Sequence, residues 1–286
     1  MNSTLVIYKN KGYVTKKFAE ILGYVLGPAK TLLFEQFNEN FENYSNVVIV
    51  MSVYSKDDLY QYMNFINANV SQLKNKKVVI FSTSFNIETA KDTLKKVDEI
   101  LGQSVIFSQY FKAHMEISKI VNKALEVKKI LKDNNDMPLD ALKLKIEEFL
   151  LKYNTCTLCT THENWVRATP IEYNYLNGSI YFISEGGEKF AHIYINPNVS
   201  IAVYENCKDF KNLAGIQISG TAKLVEKFSE EYINVMKNKG LIIENLKKMP
   251  VYLNVIKVVP KKYEILLSDL SKEGYSVKQV LELSNV

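Results

Sequence analysis

The sequence predicts two domains of different class: an α/β sandwich around a parallel sheet, then a small antiparallel barrel of six strands. Three observations predict this. The length of 286 residues suits two domains of about 150 residues each. The first half alternates short apolar runs with stretches of helical period. The second half turns to period two, carried by β-branched and aromatic residues.

In chain order, Leu5–Ile7, Thr31–Phe34, Val47–Met51, Val78–Phe81 and Val105–Phe107 read as buried strands. Between them Phe18, Ile21, Leu22 and Val25 make one helical stripe. Leu59, Tyr62, Met63 and Ile66 make a second, and Ile87, Ala90, Leu94, Val97 and Leu101 a third. Ile117, Ile120, Val121, Ala124 and Leu131 mark a further helix. Strands that alternate with helices are parallel, because each helix carries the chain back to start the next strand. The polar segment Lys132–Pro138 ends in a proline that stops a continuing helix, which places a boundary between domains 1–131 and 139–286.

Beyond the boundary, Leu142, Ile146, Phe149 and Leu150 share one side of a helix. Six strand segments follow: Thr155–Thr161, Val166–Tyr175, Ser179–Ser184, Val199–Tyr204, Ala214–Val225 and Val251–Pro260. Asn177-Gly178 supplies the turn of a hairpin, since both residues accept a positive φ. Helical pieces interrupt around Lys189–Tyr194 and Ser229–Lys239.

Composition narrows the function classes. With 47% hydrophobic and 23% charged residues, the chain is neither disordered nor a fibrous repeat. No apolar run reaches the roughly 18 residues of a membrane helix, and the N-terminus runs straight into a strand; a cytoplasmic protein without membrane attachment is expected. The net charge of +5 is small for this length, and lysine clusters such as Lys74, Lys76 and Lys77 are mixed with acids, so nucleic acid is not an expected partner. Cys156, Cys159 and Cys207 form no disulfide framework. The spacing of Cys156 and Cys159 in a strand puts them on opposite faces, and His114, His162 and His192 fit no metal pattern, so no metal site is expected.

Of the 36 basic side chains only one, Arg167, is an arginine. Lysine has served wherever charge alone was needed, which marks Arg167 for a task that needs the guanidinium fork, such as bidentate contact with a phosphate. Ser184 ends a strand, and Glu185-Gly186-Gly187 turns the chain into a short helix bearing Lys189. Two glycines before a helix leave backbone N–H groups free to meet an anion. Arg167, Thr169 and Ile171 share one strand face.

The ordered set Cys159–Thr161, Val166–Ile171, Ile180–Ser184, Lys189–Ala191, Asn196–Ser200 and Ile218–Ala222 resembles the pyridoxamine 5′-phosphate oxidase-like flavin-binding split barrels over roughly residues 140–265. The resemblance implies a homodimer with FMN in the cleft between subunits. Arg167, Ser184 and Lys189 would grip its phosphate. Side chains and backbone of the strand, Ala168, Thr169, Pro170 and Ile171 included, would line the flavin, and Gln217 would point toward it. The arginine and histidine that hold vitamin B6 in the true oxidase have no counterpart, since no arginine follows Arg167 and no histidine follows His192. The expected function is therefore that of an FMN-dependent oxidoreductase of another substrate, with no residue nominated as acid or base. The alternatives are a flavin-storing or scaffold module, or an electron-transfer protein with a second flavin.

That second flavin would belong to the first domain. Leu5–Lys9, Thr15–Ala19 and Leu73–Phe81 resemble flavodoxins, particularly the short protoporphyrinogen dehydrogenase-like forms, over about residues 3–130. The resemblance implies a five-stranded parallel sheet in flavodoxin-like order. A flavodoxin holds phosphate on a Thr-rich loop after its first strand. Here that loop reads Asn10-Lys11-Gly12-Tyr13-Val14-Thr15, keeping only its last threonine. Thr15 and Tyr54 are the residues left for a flavin there.

Overall fold

The computed structural model describes residues 3–9, 12–38, 40–113, 115–132, 135–206, 209 and 211–283. The chain forms two compact units, Met1–Asp133 and Asn134–Val286.

The first unit runs β1 (Thr4–Tyr8), α1 (Tyr13–Val25), β2 (Ala29–Leu33), β3 (Asn46–Ser52), α2 (Lys56–Ala68), α3 (Val70–Leu73), β4 (Lys77–Ser84), α4 (Ile87–Leu101), β5 (Val105–Lys112) and α5 (Ile117–Ile130). All four strand pairings are parallel, in the order β2-β1-β3-β4-β5. This is the flavodoxin-like order expected from the sequence. Every residue of β1 and β3 is buried, as in a sheet covered on both faces. Alternation divides them between two cores. Leu5, Ile7, Val47 and Ile49 pack with Tyr62 and Ile66 of α2 and with Leu94 and Val97 of α4. Val6, Tyr8, Val48 and Val50 pack with Phe18 and Leu22 of α1 and with Ile120 and Ala124 of α5. A strand that must be apolar on both faces shows no period of two, which is why these strands read as short continuous runs.

The second unit opens with α6 (Leu139–Lys152), followed by β6 (Thr155–His162), β7 (Trp165–Glu172), β8 (Asn174–Leu176), β9 (Ser179–Ser184), α7 (Glu188–Ile195), β10 (Asn198–Tyr204), β11 (Ala214–Val225), α8 (Glu230–Asn238), α9 (Ile243–Lys248), β12 (Asn254–Leu267) and β13 (Lys278–Glu282). The strands form one antiparallel sheet in the order β7-β6-β10-β11-β12-β9-β8, with β13 paired to β12. The sheet curls until β7 approaches β9, while no ladder joins the two among the described residues. Leu158, Phe182, Ile201, Ile218 and Val258 fill the inside of the curl together with Leu142, Ile146 and Leu150 of α6.

Among the described residues the sheet has eight strands where the sequence suggested six. The stretch read as one strand over Val166–Tyr175 divides at Tyr173, whose N–H donates to Asn154 O at 2.8 Å and whose hydroxyl donates to Leu150 O at 2.8 Å. β13 is the other addition. Asn177 and Gly178 have φ of 48° and 75°, the conformation a two-residue hairpin turn between β8 and β9 needs.

β12 also continues past Pro260, where the sequence reading ended. The register steps between Ser219 and Gly220, pairing Gly220 with Pro260 and Ser219 with Lys262. The bulge takes the proline, which cannot donate to a ladder, without ending the strand. Gly220 is required there: a Cβ would lie 2.6 Å from Val259 O and 2.8 Å from Val258 Cγ1.

Candidate functional site

Among the described residues β7 is an edge strand bonded to β6 alone. Its alternation places Arg167, Thr169 and Ile171 on the half-buried face and Val166, Ala168 and Pro170 on the exposed one. Arg167 lies opposite Thr160 of β6. Its Nη1 donates to Glu188 Oε2 at 2.5 Å. The Thr169 hydroxyl is buried with no hydrogen-bond partner among the described residues.

The turn from β9 to α7 brings the other predicted residues to the same place. Ser184 Oγ donates to Gly186 O at 3.2 Å, and Lys189 Nζ donates to the same oxygen at 2.5 Å. Asn254 Nδ2 fixes the turn through Glu185 O at 3.0 Å. Gly187 has φ 113°, a conformation other residues rarely adopt, and a Cβ there would stand 3.4 Å from Lys189 Nζ. Lys189 is buried, and its amine is held below the ordinary lysine value, first by desolvation and then by the positive charge of Arg167. Arg167, Ser184 and Lys189 thus meet at residues 184–189. Two cations at one turn suit an anion, so these residues fit a phosphate group.

A histidine pair adjoins this cluster. Thr160 Oγ1 lies 3.1 Å from His192 Nδ1, and the His162 and His192 rings are 6.0 Å apart. His162 Nδ1 is buried without a hydrogen-bond partner among the described residues. Glu188 and the histidine pair carry no sequence motif; the α7 period, with Glu188 and His192 four residues apart, is the one signal of a shared face. Gln217 is exposed on β11, facing away from the buried Ile216 and Ile218. The register aligns it with Ala202, Thr157 and Pro170 across the outer face. The residues proposed to line the cofactor are therefore divided between two faces of the sheet.

Cys156 is buried and Cys159 half-buried, both as free thiols. Burial pushes the Cys156 thiol up to about 12. Cys207, His114 and the Asn10-Lys11 pair lie outside the described residues. Among the described residues no group of three or more His, Cys, Asp or Glu is arranged to hold a metal ion. No described helix is long and apolar enough to cross a membrane.

In the first unit the sheet order reverses between β1 and β3, where ligands of such sheets bind beyond the strand ends. Side-chain bonds link the described residues at those strand ends. Lys9 Nζ donates to Asp58 Oδ1 at 3.2 Å and to Gln61 Oε1 at 2.6 Å. Asp58 Oδ2 also accepts from Tyr54 N and Ser55 N, at 3.2 and 3.0 Å. The buried Thr15 hydroxyl lies 2.6 Å from Ser52 Oγ, which accepts from Thr83 Oγ1 at 3.2 Å. Tyr54 stacks on Phe85 with ring centroids 4.7 Å apart. The two residues left for a flavin, Thr15 and Tyr54, are both engaged inside the protein, Thr15 with Ser52 and Tyr54 with Phe85.

Comparison with known proteins agrees with the second unit. Residues 142–266 match the family profile described as pyridoxamine 5′-phosphate oxidase. A structure described as a pyridoxamine 5′-phosphate oxidase from Listeria innocua is 24% identical, with 44% of this chain and 98% of that one covered and a TM-score of 0.37. An FAD-binding protein from Mesorhizobium loti is 14% identical, covering 42% and 90%, with a TM-score of 0.35. HutZ, the heme storage protein from Vibrio cholerae, is 20% identical, covering 43% and 91%, with a TM-score of 0.36. No curated protein matches the chain. The match places a pyridoxamine 5′-phosphate oxidase-type domain at residues 142–266, within the second unit and its curled antiparallel sheet.

Proposed function

We propose that the second unit binds FMN, one per chain, and that the protein is a flavin-dependent oxidoreductase acting on a substrate other than vitamin B6. The observation that carries this reading is the convergence of Arg167, Ser184 and Lys189 on the 184–189 turn. Arg167 would bind the phosphate through its planar fork, and Lys189 would supply a second, less hydrated charge. The free Thr169 hydroxyl and Ile171 would lie along the cofactor on the same face. A bound flavin supplies reversible acceptance of a hydride or electrons at its own ring. The protein's part is to hold the phosphate, fix the orientation and exclude water.

The active form in this reading is a homodimer whose second copy covers the outer face. Val166, Tyr204 and Val259 are 69%, 60% and 44% exposed. By strand alternation and register they stand on the outer face, as do Ala168, Pro170 and Gln217. A partner that buried them would bring Ala168, Pro170 and Gln217 to the margin of the cofactor cleft.

The test is an FMN titration of the purified full chain, followed by absorbance, with light scattering for mass. Saturation near one flavin per chain and twice the chain mass support the reading. NADH and NADPH are then tested as reductants. An absence of saturable flavin binding overturns it.

A further inference from the structure

We propose that Glu188 is an internal counter-ion that occupies the Arg167 fork until a phosphate-bearing ligand displaces it, so that one carboxylate sets the affinity and salt response of this site. The inference rests on the FMN-site reading and adds its regulation. Arg167 Nη1 and Glu188 Oε2 are 2.5 Å apart, and among the described residues Arg167 makes no other ion pair. Glu188 therefore stands where a phosphate oxygen would stand.

The contact is built to be exchanged. The two side chains are 42% and 69% exposed, and a pair so open to water is held weakly. Its partner Lys189 is fixed, with its amine buried and bonded to Gly186 O at 2.5 Å. An incoming phosphate meets both cations and can engage the fork through two oxygens, whereas Glu188 is bonded through one. Once displaced, Glu188 remains in the first turn of α7, where a negative charge is favoured by the helix dipole. Displacement thus costs the ion pair and leaves the helix start intact. Two cations and one carboxylate give the cluster a net charge of +1; without the carboxylate it is +2.

The sole arginine makes the test direct. Protein labelled with 15N only at arginine gives a single guanidinium Nε–H signal, from Arg167. Inorganic phosphate, FMN and riboflavin are titrated into the wild type and Glu188→Gln. In the absence of ligand, the substitution is expected to shift the Arg167 signal. Phosphate and FMN should then half-saturate at about two- to fivefold lower concentration in Glu188→Gln, with a steeper loss on adding salt. Riboflavin, lacking the phosphate, should show no difference between the two proteins. Equal half-saturation in both proteins, or a ligand-free signal that the substitution leaves in place, overturns the role of Glu188 while leaving the FMN site standing. FMN binding that never moves the Arg167 signal overturns the phosphate reading itself. Silence of the signal toward both phosphate and FMN overturns both.

Discussion

Arg167 and Lys189 bring two cations to the Gly186–Glu188 turn by different chemistry, and their substitutions separate the two roles. Arg167→Lys keeps the charge and removes the fork, so FMN should bind about tenfold more weakly or worse in a titration, with the fold unchanged. Lys189 is held below its ordinary value, so it binds fewer protons folded than unfolded between the two values. Stability should therefore rise as pH climbs through that window, and Lys189→Met should melt higher than the wild type at neutral pH while binding FMN less well. A bound phosphate restores the charged amine, so FMN affinity should fall as pH rises through the same window, with Arg167 the charge acting on the amine. Calorimetry at several pH values reads both signs. Cys156, pushed up to about 12 by burial, should resist alkylation by iodoacetamide at pH 8 in the native protein, as peptide mapping would show. The unusual arginine was visible in composition. Glu188 was not, because a glutamate at the start of a helix is common and its partner is set by the β7 register.

Two devices at the scale of elements have measurable cost. The Gly220 bulge lets β12 run through Pro260, and Gly220→Ala would drive a Cβ against Val259 O and Val258 Cγ1. Equilibrium unfolding in urea should show a loss of about 1–3 kcal/mol. In the first unit, Asp58 joins the end of β1, through Lys9, to the start of α2, where it completes a capping box with Ser55. Asp58→Ala should cost about 3–5 kcal/mol, because it leaves the buried Lys9 amine without its carboxylate. Strand and helix periods were legible here because each element buries a defined face. The bulge and the Lys9–Asp58 bridge were not, since each joins residues dozens of positions apart or turns on a single register step.

For the whole molecule, the prediction is one flavin per chain. If the proposed grip in the second unit is the chain's flavin site, the full chain should saturate at one, which a flavin count decides. A count of two would mean that the Tyr54–Phe85 stack and the Thr15–Ser52 contact open for a ligand. Substituting Arg167 would then abolish only one of the two.

The sequence alone determined the two architectures, because hydrophobic period reports which faces an element buries, and a change from helical to alternating period reports a change of layer. It also singled out Arg167, since one guanidinium among many ammonium groups is a chemical choice. Only the tertiary structure decided that the flavodoxin-like crevice is bridged by Lys9 and Asp58 and that Glu188 holds the arginine fork. It also decided that Gln217 stands on the outer face, apart from Arg167. Local sequence sets backbone preference within a turn or two. Which side chains meet across β1 and α2, or across β7 and α7, is fixed by register and packing over the whole fold.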